Sequence, residues 1–470
     1  MRERLSVAMT EDTHATLQRQ LTRSDGQEDL TFLQWIPSRG AQRLTAIITA
    51  AIPPEDGDRF VHGNVSFSAG YLERAASVAR RAGTGLAMIH THPAGVGWQG
   101  MSTDDAIAER RVARAAMAAT ALPLVGLTMT DAGSYSARAW PRVAVLQYQR
   151  QEGESVRVVG NALRTTRPVV GRLRDGALER TESVWGEVGQ ESISRLRVGV
   201  AGLGSVGSSV AEGLARMGVE DIVLVDRDLV ELRNLDRLLN ASRDDVGALK
   251  VEVARSAILS HRTALRGEVR AVNAWCDEEA GYRALLDCDV IFSCVDRPWA
   301  RRVLNQLAYA NLIPVIDGGI LVRKRRERVV GADWHVHTSG PARRCLQCYG
   351  SFDPGAAAVD RDGLLDDPSY VKQLDPGHPL VSKDNVYPFS AQVAAMELLQ
   401  LAALIVGPQH NLGDQNYHYT TGGLDVTQDR GCEEACPYHA MIAQGERSMP
   451  PLGNPRRIVP ALHSPEEKVK

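Results

Sequence analysis

The chain has 470 residues and a formal net charge of −3, with 44% hydrophobic and 24% charged residues. These values are typical of a soluble globular protein of two to four domains, and they exclude a bulk attraction to nucleic acid or to an anionic membrane. No apolar run approaches the roughly 18–20 residues that span a bilayer. The charged N-terminus lacks a signal-peptide core, so we expect a cytoplasmic protein.

Residues 1–150 predict an α/β sheet domain, because helical and strand patterns alternate along them. A helix capped by Thr10 comes first, and an amphipathic helix over AGYLERAASVARRAG ends at a glycine. Apolar runs predict strands in RLTAIITAAI and LPLVGLTMT, with a helix over TDDAIAERRVARAAMAAT. The strand TGLAMIHTHP ends at two histidines, which are the first candidates for chemistry.

His90 and His92 are separated by one residue at the end of that strand, so both side chains point to the same face. Asp105 follows from the start of the next helix. Two imidazoles and a carboxylate can hold zinc and leave one position for water, whose pKa the metal lowers from about 15.7 toward 7. Taken alone, the HTHP turn fits a polar loop edge equally well.

The full pattern is His-x-His followed, after nine residues, by Ser-x-x-Asp. It resembles the JAB/JAMM (MPN) family of zinc isopeptidases, which remove ubiquitin or ubiquitin-like proteins. The resemblance covers roughly residues 1–140. It implies a catalytic zinc on His90, His92 and Asp105, and a hydrogen bond from Ser102 to the developing oxyanion.

The same resemblance implies an upstream glutamate as general acid/base. Glu28, in QEDLTFLQW, stands at the start of a strand after the first helix, and Glu55 is its competitor. Larger residues follow Glu28 where the family commonly has glycine and small residues. The segment PAGVGWQGM between the histidines and the serine is longer than expected, which would alter access to the zinc.

A polar, Arg-rich stretch over 151–178 predicts a linker, and a second domain follows over 179–445. Its start, RLRVGVAGLGSVGSSVAEGLARMGVEDIVLVDRD, predicts strand, glycine loop, helix and strand, which is a Rossmann-like βαβ unit. The charged, Pro-rich residues 446–470 predict a flexible tail.

The glycine loop is a G-x-G-x-x-G pattern formed by Gly202, Gly204 and Gly207. Such glycines let the backbone approach phosphates at a helix N-terminus. Asp226, at the end of the next strand, suits ribose hydroxyls. These features alone would also fit an NAD dehydrogenase, or a glycine-rich turn without a ligand.

Charged and polar residues further along favour a nucleoside triphosphate over NAD. Asn234, Arg237, Lys250 and Asp296 supply cations and a carboxylate. A triphosphate with magnesium needs both, because phosphoryl and adenylyl transfer depend on positioning and charge neutralisation.

Residues 178–440 closely resemble the ThiF/MoeB/HesA superfamily, which includes ubiquitin-activating enzymes. The resemblance rests on ERTESVWGEVGQESISRLRV, the glycine loop, VDRD, RNLDR, SCVDRPWARRVLN, IPVIDGGI and two cysteine pairs. It implies that a C-terminal glycine carboxylate attacks the α-phosphate of ATP, giving an acyl-adenylate and pyrophosphate. The implied roles are ATP contact by Gly202, Gly204 and Gly207, ribose contact by Asp226, phosphate contact by Asn234, Arg237 and Lys250, and Mg²⁺ binding by Asp296. Because the family's adenylation domains are dimers, Arg180 would reach into the partner's site.

Four of the seven cysteines form two close pairs, Cys345/Cys348 and Cys432/Cys436. Together they predict a tetrahedral structural zinc that ties the C-terminal segment to the core, although each pair alone would fit two buried thiols. The second pair is spaced by three residues rather than the family's usual two, and His439 is a backup ligand.

Many activating enzymes carry a catalytic cysteine after the first zinc pair, but the corresponding stretch, residues 349–390, contains none. We interpret Cys288 and Cys294 as structural, and we favour a core or surface position for Cys276. The enzyme is therefore expected to stop at the acyl-adenylate, or to pass it directly to the cysteine of a conjugating enzyme.

Together the halves predict a bifunctional protein that adenylates a ubiquitin-like modifier ending in glycine and also trims or removes it. The expected cofactors are ATP, Mg²⁺ and two Zn²⁺ ions, one catalytic and one structural. Two alternatives stay open. One is activation of a sulfur-carrier protein for cofactor synthesis, and the other is a scaffold whose first domain binds modifiers without cleaving them.

Overall fold

The structure is a computed structural model that describes residues 3–62, 64–171, 173, 175–325, 328–374, 384–428 and 431–453. It forms two compact units. The first unit comprises Met1–Arg172, Tyr309–Leu312 and Ala440–Met449, and the second comprises Leu173–Ala308, Ile313–His439 and Pro450–Lys470.

The first unit is built on a nine-stranded mixed sheet of order β11-β8-β7-β6-β2-β3-β1-β12-β13. Its elements are β1 Arg4–Thr10, α1 Glu11–Leu21, β2 Leu30–Arg39, β3 Arg43–Ile52, β4 Arg59–His62, β5 Asn64–Phe67, α2 Ala69–Ala82, β6 Gly85–His92, α3 Thr103–Thr120, β7 Leu124–Thr130, β8 Tyr135–Trp140, β9 Arg142–Ala144, β10 Gln147–Tyr148, β11 Gln151–Glu152, β12 Ser155–Val159 and β13 Leu163–Thr166.

Local signals place the helices of this unit as predicted. The Thr10 side chain accepts a hydrogen bond from the Thr13 backbone and caps α1, and α2 ends at Gly83 in a left-handed conformation. Alternate strand residues face opposite sides of the sheet. One side packs with Leu17 and Leu21 of α1, and the other packs with α2 and α3. The strand β1 precedes α1 and was not predicted.

The second unit is built on an eight-stranded sheet of order β16-β15-β14-β17-β18-β19-β20-β21. In this order, the first five strands, from β16 to β18, pair in parallel. The strands from β18 to β21 pair antiparallel. This is the predicted Rossmann-like arrangement with an antiparallel extension. Its elements are α4 Glu179–Ser194, β14 Arg197–Ala201, α5 Ser205–Arg216, β15 Asp221–Val225, α6 Lys250–His261, β16 Val269–Val272, α7 Glu279–Leu286, β17 Val290–Ser293, α8 Pro298–Ala310, β18 Val315–Arg325, β19 Arg328–Ser339, α9 Leu346–Tyr349, α10 Pro354–Arg361, α11 Pro368–Val371, α12 Tyr387–Val406, β20 Asp414–His418 and β21 Gly423–Thr427.

The predicted linker at 151–178 differs from the structure. Strand β12 pairs in parallel with β1, and β13 pairs with β12, so both strands extend the sheet of the first unit. The sequence SVRVV is short and contains an arginine, so its strand character becomes evident only once β1 is present beside it.

The predicted tail at 446–470 also differs at its start. A 3-10 helix over Gly445–Ser448 belongs to the first unit, where Glu446 pairs with Arg39 at 2.6 Å. Residues 454–470 lie outside the described part of the chain.

Helix α12 contradicts the prediction that no apolar run in this chain is long enough to span a bilayer. This helix has 20 residues with a mean hydropathy of 1.7 over its most apolar window, so its length and composition alone would suffice. The helix packs against β18, β19 and α5, and it buries Val393, Leu401 and Leu404. We therefore interpret it as a core helix.

Candidate functional site

Pairing between β2 and β6 sets the geometry of the first cluster. Leu30 lies opposite His90. The backbone N–H of Asp29 donates to the Thr91 hydroxyl at 2.8 Å, and the backbone N–H of Thr91 donates to the Asp29 carbonyl at 2.9 Å. The Asp29 carboxylate is buried and pairs with Arg59. These bonds hold the segment before β2, which contains Glu28, against the end of β6, which carries the histidines.

His90, His92 and Asp105 come together as predicted. The His90 Nε2 atom lies 3.2 Å from His92 Nε2, and the two nitrogens lie 3.8 and 4.0 Å from Asp105 Oδ2. Ligand atoms about 2.0–2.1 Å from a tetrahedral zinc are separated by roughly 3.3 Å. The three side chains therefore fit one ion with small adjustments.

Electrostatics favour the metal-binding forms of both imidazoles. Burial, reinforced by the positive charge of Arg138, lowers the pKa of His90 to about 3. Burial also lowers the pKa of His92. Both rings are therefore neutral at pH 7 and keep a lone pair available for an ion.

Glu28 lies within electrostatic reach of Asp105, a member of this cluster. Burial, followed by the negative charge of Asp105, raises the pKa of Glu28, as is typical of a general acid/base. Glu55 is 74% exposed and pairs with Arg74 at 3.5 Å.

Ser102 occupies the N-cap of α3. Its hydroxyl accepts from the Asp105 backbone at 3.1 Å and donates to Asp105 Oδ2 at 2.7 Å, and its own backbone donates to the same oxygen. The Ser-x-x-Asp spacing is thus a capping box that orients the third candidate ligand.

The loop between His92 and Ser102 borders a cavity of about 250 Å³, lined by Trp98, Gln99, Gly100, Met101, Arg138, Arg150, Glu152 and Pro168. The side chain of Gln99 also bonds to His92. The cavity therefore opens beside the histidine cluster.

In the second unit the glycine loop joins β14 to α5, and the lack of a side chain has a different consequence at each of its three glycines. Gly202 has φ +90°, and a Cβ there would lie 2.5 Å from the Cys294 carbonyl. A Cβ on Gly207 would lie 1.8 Å from the Gly202 carbonyl, whereas a Cβ on Gly204 would meet nothing within 4 Å. The first and third glycines thus allow close packing, and open space at the second leaves room for a ligand.

Asp226 follows β15 and forms a hydrogen bond with the backbone of this loop. Its carboxylate accepts hydrogen bonds from the backbone of Leu203 at 2.5 Å and of Asp228 at 2.7 Å. Burial raises the pKa of Asp226 to about 6.

Lys250, at the start of α6, lies among three carboxylates. Its Nζ donates to Asp228 Oδ2 at 2.9 Å. Burial alone would lower the pKa of Lys250, but the charges of Asp226, Asp228 and Asp296 raise it overall. The structure therefore brings together Lys250, Asp226 and Asp296, which come from three separate stretches of sequence.

Three other predicted residues are not joined to this group. Asn234 accepts from the Glu231 backbone at 3.0 Å and caps a 3-10 helix, and Arg237 donates to the Arg233 carbonyl and to Asp236. Arg180 is exposed on α4.

Cys345, Cys348, Cys432 and Cys436 gather into one cluster with all four sulfurs within 4.8 Å of one another. The Cys345 and Cys436 sulfurs are 3.7 Å apart, close to the roughly 3.8 Å expected around zinc with bonds of about 2.3 Å. The Cys432 sulfur and burial raise the pKa of Cys345, so a bound cation is needed for the sulfurs to ionise together. The backup ligand His439 is exposed and lies outside this cluster.

Sequence reasoning missed three residues beside the glycine loop: Asp228, Ser205 and Asn385. Asp228 had a usable signal, because it lies two residues after Asp226 in VDRD and so on the same side of an extended segment. Asn385 donates to the Ser205 hydroxyl at 2.9 Å, across 180 residues of sequence. No local pattern could have indicated that contact.

A model of the ThiF family matches residues 178–435. The chain is similar to the molybdopterin-synthase adenylyltransferase of Escherichia coli, with 32% identity over 158 residues, which are 34% of this chain and 61% of that protein. It is also similar to the SAMP-activating enzyme E1 of Haloferax volcanii, with 32% identity over 34% of this chain and 57% of that protein. The matches thus span less than two thirds of each relative.

Among solved structures, that of E. coli MccB with ATP has a TM-score of 0.43 and 18% identity, over 57% of this chain and 76% of that chain. The family match begins after the histidine cluster.

Proposed function

This chain belongs to the ThiF family, and we propose on that premise that its second unit uses ATP to adenylate the C-terminal glycine of a ubiquitin-like protein. The observation that carries the proposal is Lys250 among Asp226, Asp228 and Asp296, beside a glycine loop with open space at Gly204. Such a site offers both cation and carboxylate to a magnesium triphosphate.

In the proposed reaction, an oxygen of the glycine carboxylate forms a bond to the α-phosphorus of ATP. The bond from that phosphorus to the α–β bridging oxygen breaks, and the electron pair leaves with pyrophosphate. Lys250, Arg237 and Asn234 would contact the phosphates, and Asp226 would accept from the ribose hydroxyls. Asp296 would hold Mg²⁺, which neutralises phosphate charge when bound.

Lys250 can serve this role by exchanging partners. Its ammonium group is bound to a half-exposed Asp228, so a phosphate oxygen arriving at the loop can compete for it. Asn234 and Arg237 would have to give up local bonds in the same way.

The reaction is proposed to stop at the acyl-adenylate within this chain. Cys276 and Cys288 are buried, and burial raises the pKa of Cys294 well above its ordinary value. Because the thiolate is the nucleophile, these cysteines are poor candidates for a thioester. A conjugating enzyme would supply the attacking cysteine. The alternative acceptor, sulfur chemistry for cofactor synthesis, is favoured by the name of the molybdopterin-synthase relative.

We further propose that the first unit is a zinc peptidase of the JAMM kind acting on the same modifier. The support is the geometry of His90, His92 and Asp105, with Glu28 within electrostatic reach of Asp105. The three ligands would hold zinc, which supplies an activated water when bound. Glu28 would take the proton of that water and deliver it to the leaving amine. Ser102 orients Asp105, and donating to the oxyanion would require its hydroxyl to rotate away from that carboxylate.

A homodimer through α4 is proposed for the second unit. Val184 and Val188 are each 80% exposed and lie on either side of a kink at Gly186 (φ +76°), and Val184 follows the exposed Arg180 by four residues. Such an apolar pair on a charged helix is suited to packing against a second copy, which would carry Arg180 toward the partner's nucleotide. The proposed site of four cysteines requires reduced thiols, which fits a cytoplasmic location.

ATP–pyrophosphate exchange tests the main proposal. Exchange should depend on a free modifier that ends in glycine, and Asp296→Ala should abolish it. Asp244→Ala, at an exposed aspartate of the same unit, is the matched control and should retain exchange. Exchange that persists in Asp296→Ala would show that the site is wrongly assigned. Transfer of the modifier to protein lysines would exclude a purely sulfur-carrier role.

A further inference from the structure

Asn385 precedes α12, and both the oxygen and the nitrogen of its side-chain amide form hydrogen bonds. Its Oδ1 accepts from the Val386 backbone at 2.8 Å, which fixes which end of the amide carries the NH₂ group. The Nδ2 atom then donates to the Ser205 and Ser390 hydroxyl oxygens at 2.9 and 2.8 Å. Asn385 therefore connects the start of α12 to the first residue of α5.

The bond from Asn385 restricts the direction of the Ser205 hydroxyl. Because the Ser205 oxygen accepts this hydrogen bond, its own hydrogen points away from the amide and is available to another acceptor. The hydrogen bonds made within the described ranges include no acceptor for it. Ser205 is half-buried and directly follows Gly204, where an added Cβ would meet nothing within 4 Å.

The same place offers further unused donors. The first bond of α5 runs from the Ser208 backbone to the Gly204 carbonyl, so the N–H groups of residues 205–207 precede the helical ladder. The Ser205 hydroxyl and these N–H groups belong to the same first turn of α5. A phosphate oxygen is an acceptor that can satisfy several of them at once.

We propose that Asn385 is a positioning residue that aims the Ser205 hydroxyl at a phosphate oxygen of ATP, an inference that rests on the proposed adenylation function. Asn385 does not touch the nucleotide. It removes the alternative rotamers in which the Ser205 hydrogen would turn away from the phosphates. Ser205 supplies a hydrogen bond to a charged acceptor, which is stronger than a bond to a neutral one.

Calorimetric titration of the full chain with Mg²⁺–ATP and with adenosine tests this inference. Ser205→Ala and Asn385→Ala should each raise the Kd for ATP by roughly five- to tenfold and leave the Kd for adenosine unchanged. The double variant should bind ATP no more weakly than Ser205→Ala alone, because both changes remove one contact. Ser205→Thr keeps the hydroxyl and should retain more affinity than Ser205→Ala.

Ser390→Ala is the matched control, since it removes the other bond of the same amide at a buried position of α12. It should leave the Kd for ATP unchanged. Additive losses in the double variant, or equal losses for ATP and adenosine, would overturn the inference and show a structural role. If the unaltered chain binds no ATP, the proposed function itself fails. If it binds ATP and Asn385→Ala binds equally well, only the role of Asn385 fails.

Discussion

Replacing Asp105 by asparagine should remove one zinc ion per chain without unfolding the first unit. Asparagine keeps an oxygen that can accept the two bonds of the capping box, from the Ser102 backbone and hydroxyl. It loses the negative charge that makes a carboxylate a good zinc ligand. Asp104→Asn is the matched control, because Asp104 is the exposed neighbour in the same helical turn.

The expected magnitudes follow from the two clusters. One cluster of three ligands and one of four predict two zinc ions in the unaltered chain, and Asp105→Asn should lower the count to one. Asp105→Ala should lose the ion and also the hydrogen bonds that its carboxylate accepts from Ser102, a loss of about 1 kcal/mol, or roughly 2–4 °C in Tm. Free zinc at 100 times its Kd should stabilise the intact site by about 2.7 kcal/mol.

Elemental mass spectrometry of purified protein measures the count, and thermal unfolding with added zinc measures the stabilisation. Asp104→Asn should match the unaltered chain in both. A count near one that Asp105→Asn leaves unchanged would refute the assignment of the histidine cluster as a zinc site. The scaffold alternative, in which the first unit binds modifiers without cleaving them, would then be preferred.

Three further predictions concern separate parts of the molecule. Glu28→Gln should abolish cleavage of a modifier fusion while the zinc count stays at two, whereas Glu55→Gln should cleave normally, as gel assays would show. Burial raises the pKa of Asp226 from 3.8 to about 6, so the folded state binds this proton more tightly than the unfolded state. This contribution to stability is therefore fully present below pH 3.8 and declines as the pH rises to 6, by about 3 kcal/mol. Urea unfolding at several pH values should show a flatter profile for Asp226→Asn, and an unchanged profile would contradict the assignment. Val184→Asp with Val188→Asp should convert a dimer to a monomer by light scattering, while an unaltered mass would exclude α4 as the interface.

Much of the candidate chemistry could be predicted because it depends on local spacing. A His-x-His pair at a strand end shares one face by the period of two, and a glycine loop between strand and helix forms the same turn wherever it occurs. The Thr10 cap and the glycine that ends α2 are equally local. In each case the residues that act together are close in sequence.

The sequence-based predictions were wrong where long-range strand pairing or packing outweighs the local sequence pattern. Residues 155–166 are short and polar enough to resemble a linker, yet β12 lies beside β1 from the opposite end of the first unit. The apolar stretch 387–406 contains one charged residue, Glu397, and forms a single helix of 20 residues. That glutamate is buried and its pKa is raised well above 4.5 by burial, a state that only the surrounding core provides.

The sequence by itself indicated the family of the second unit, the group of four cysteines and the three candidate ligands of the first cluster, because these patterns are spaced by turns and strand ends. The tertiary structure alone decided that Glu28 lies within electrostatic reach of Asp105 and that Asp228 pairs with Lys250. It also decided that Asn385 meets Ser205 across 180 residues. The physical reason is that strand order and register bring distant segments together, and no local propensity encodes that choice.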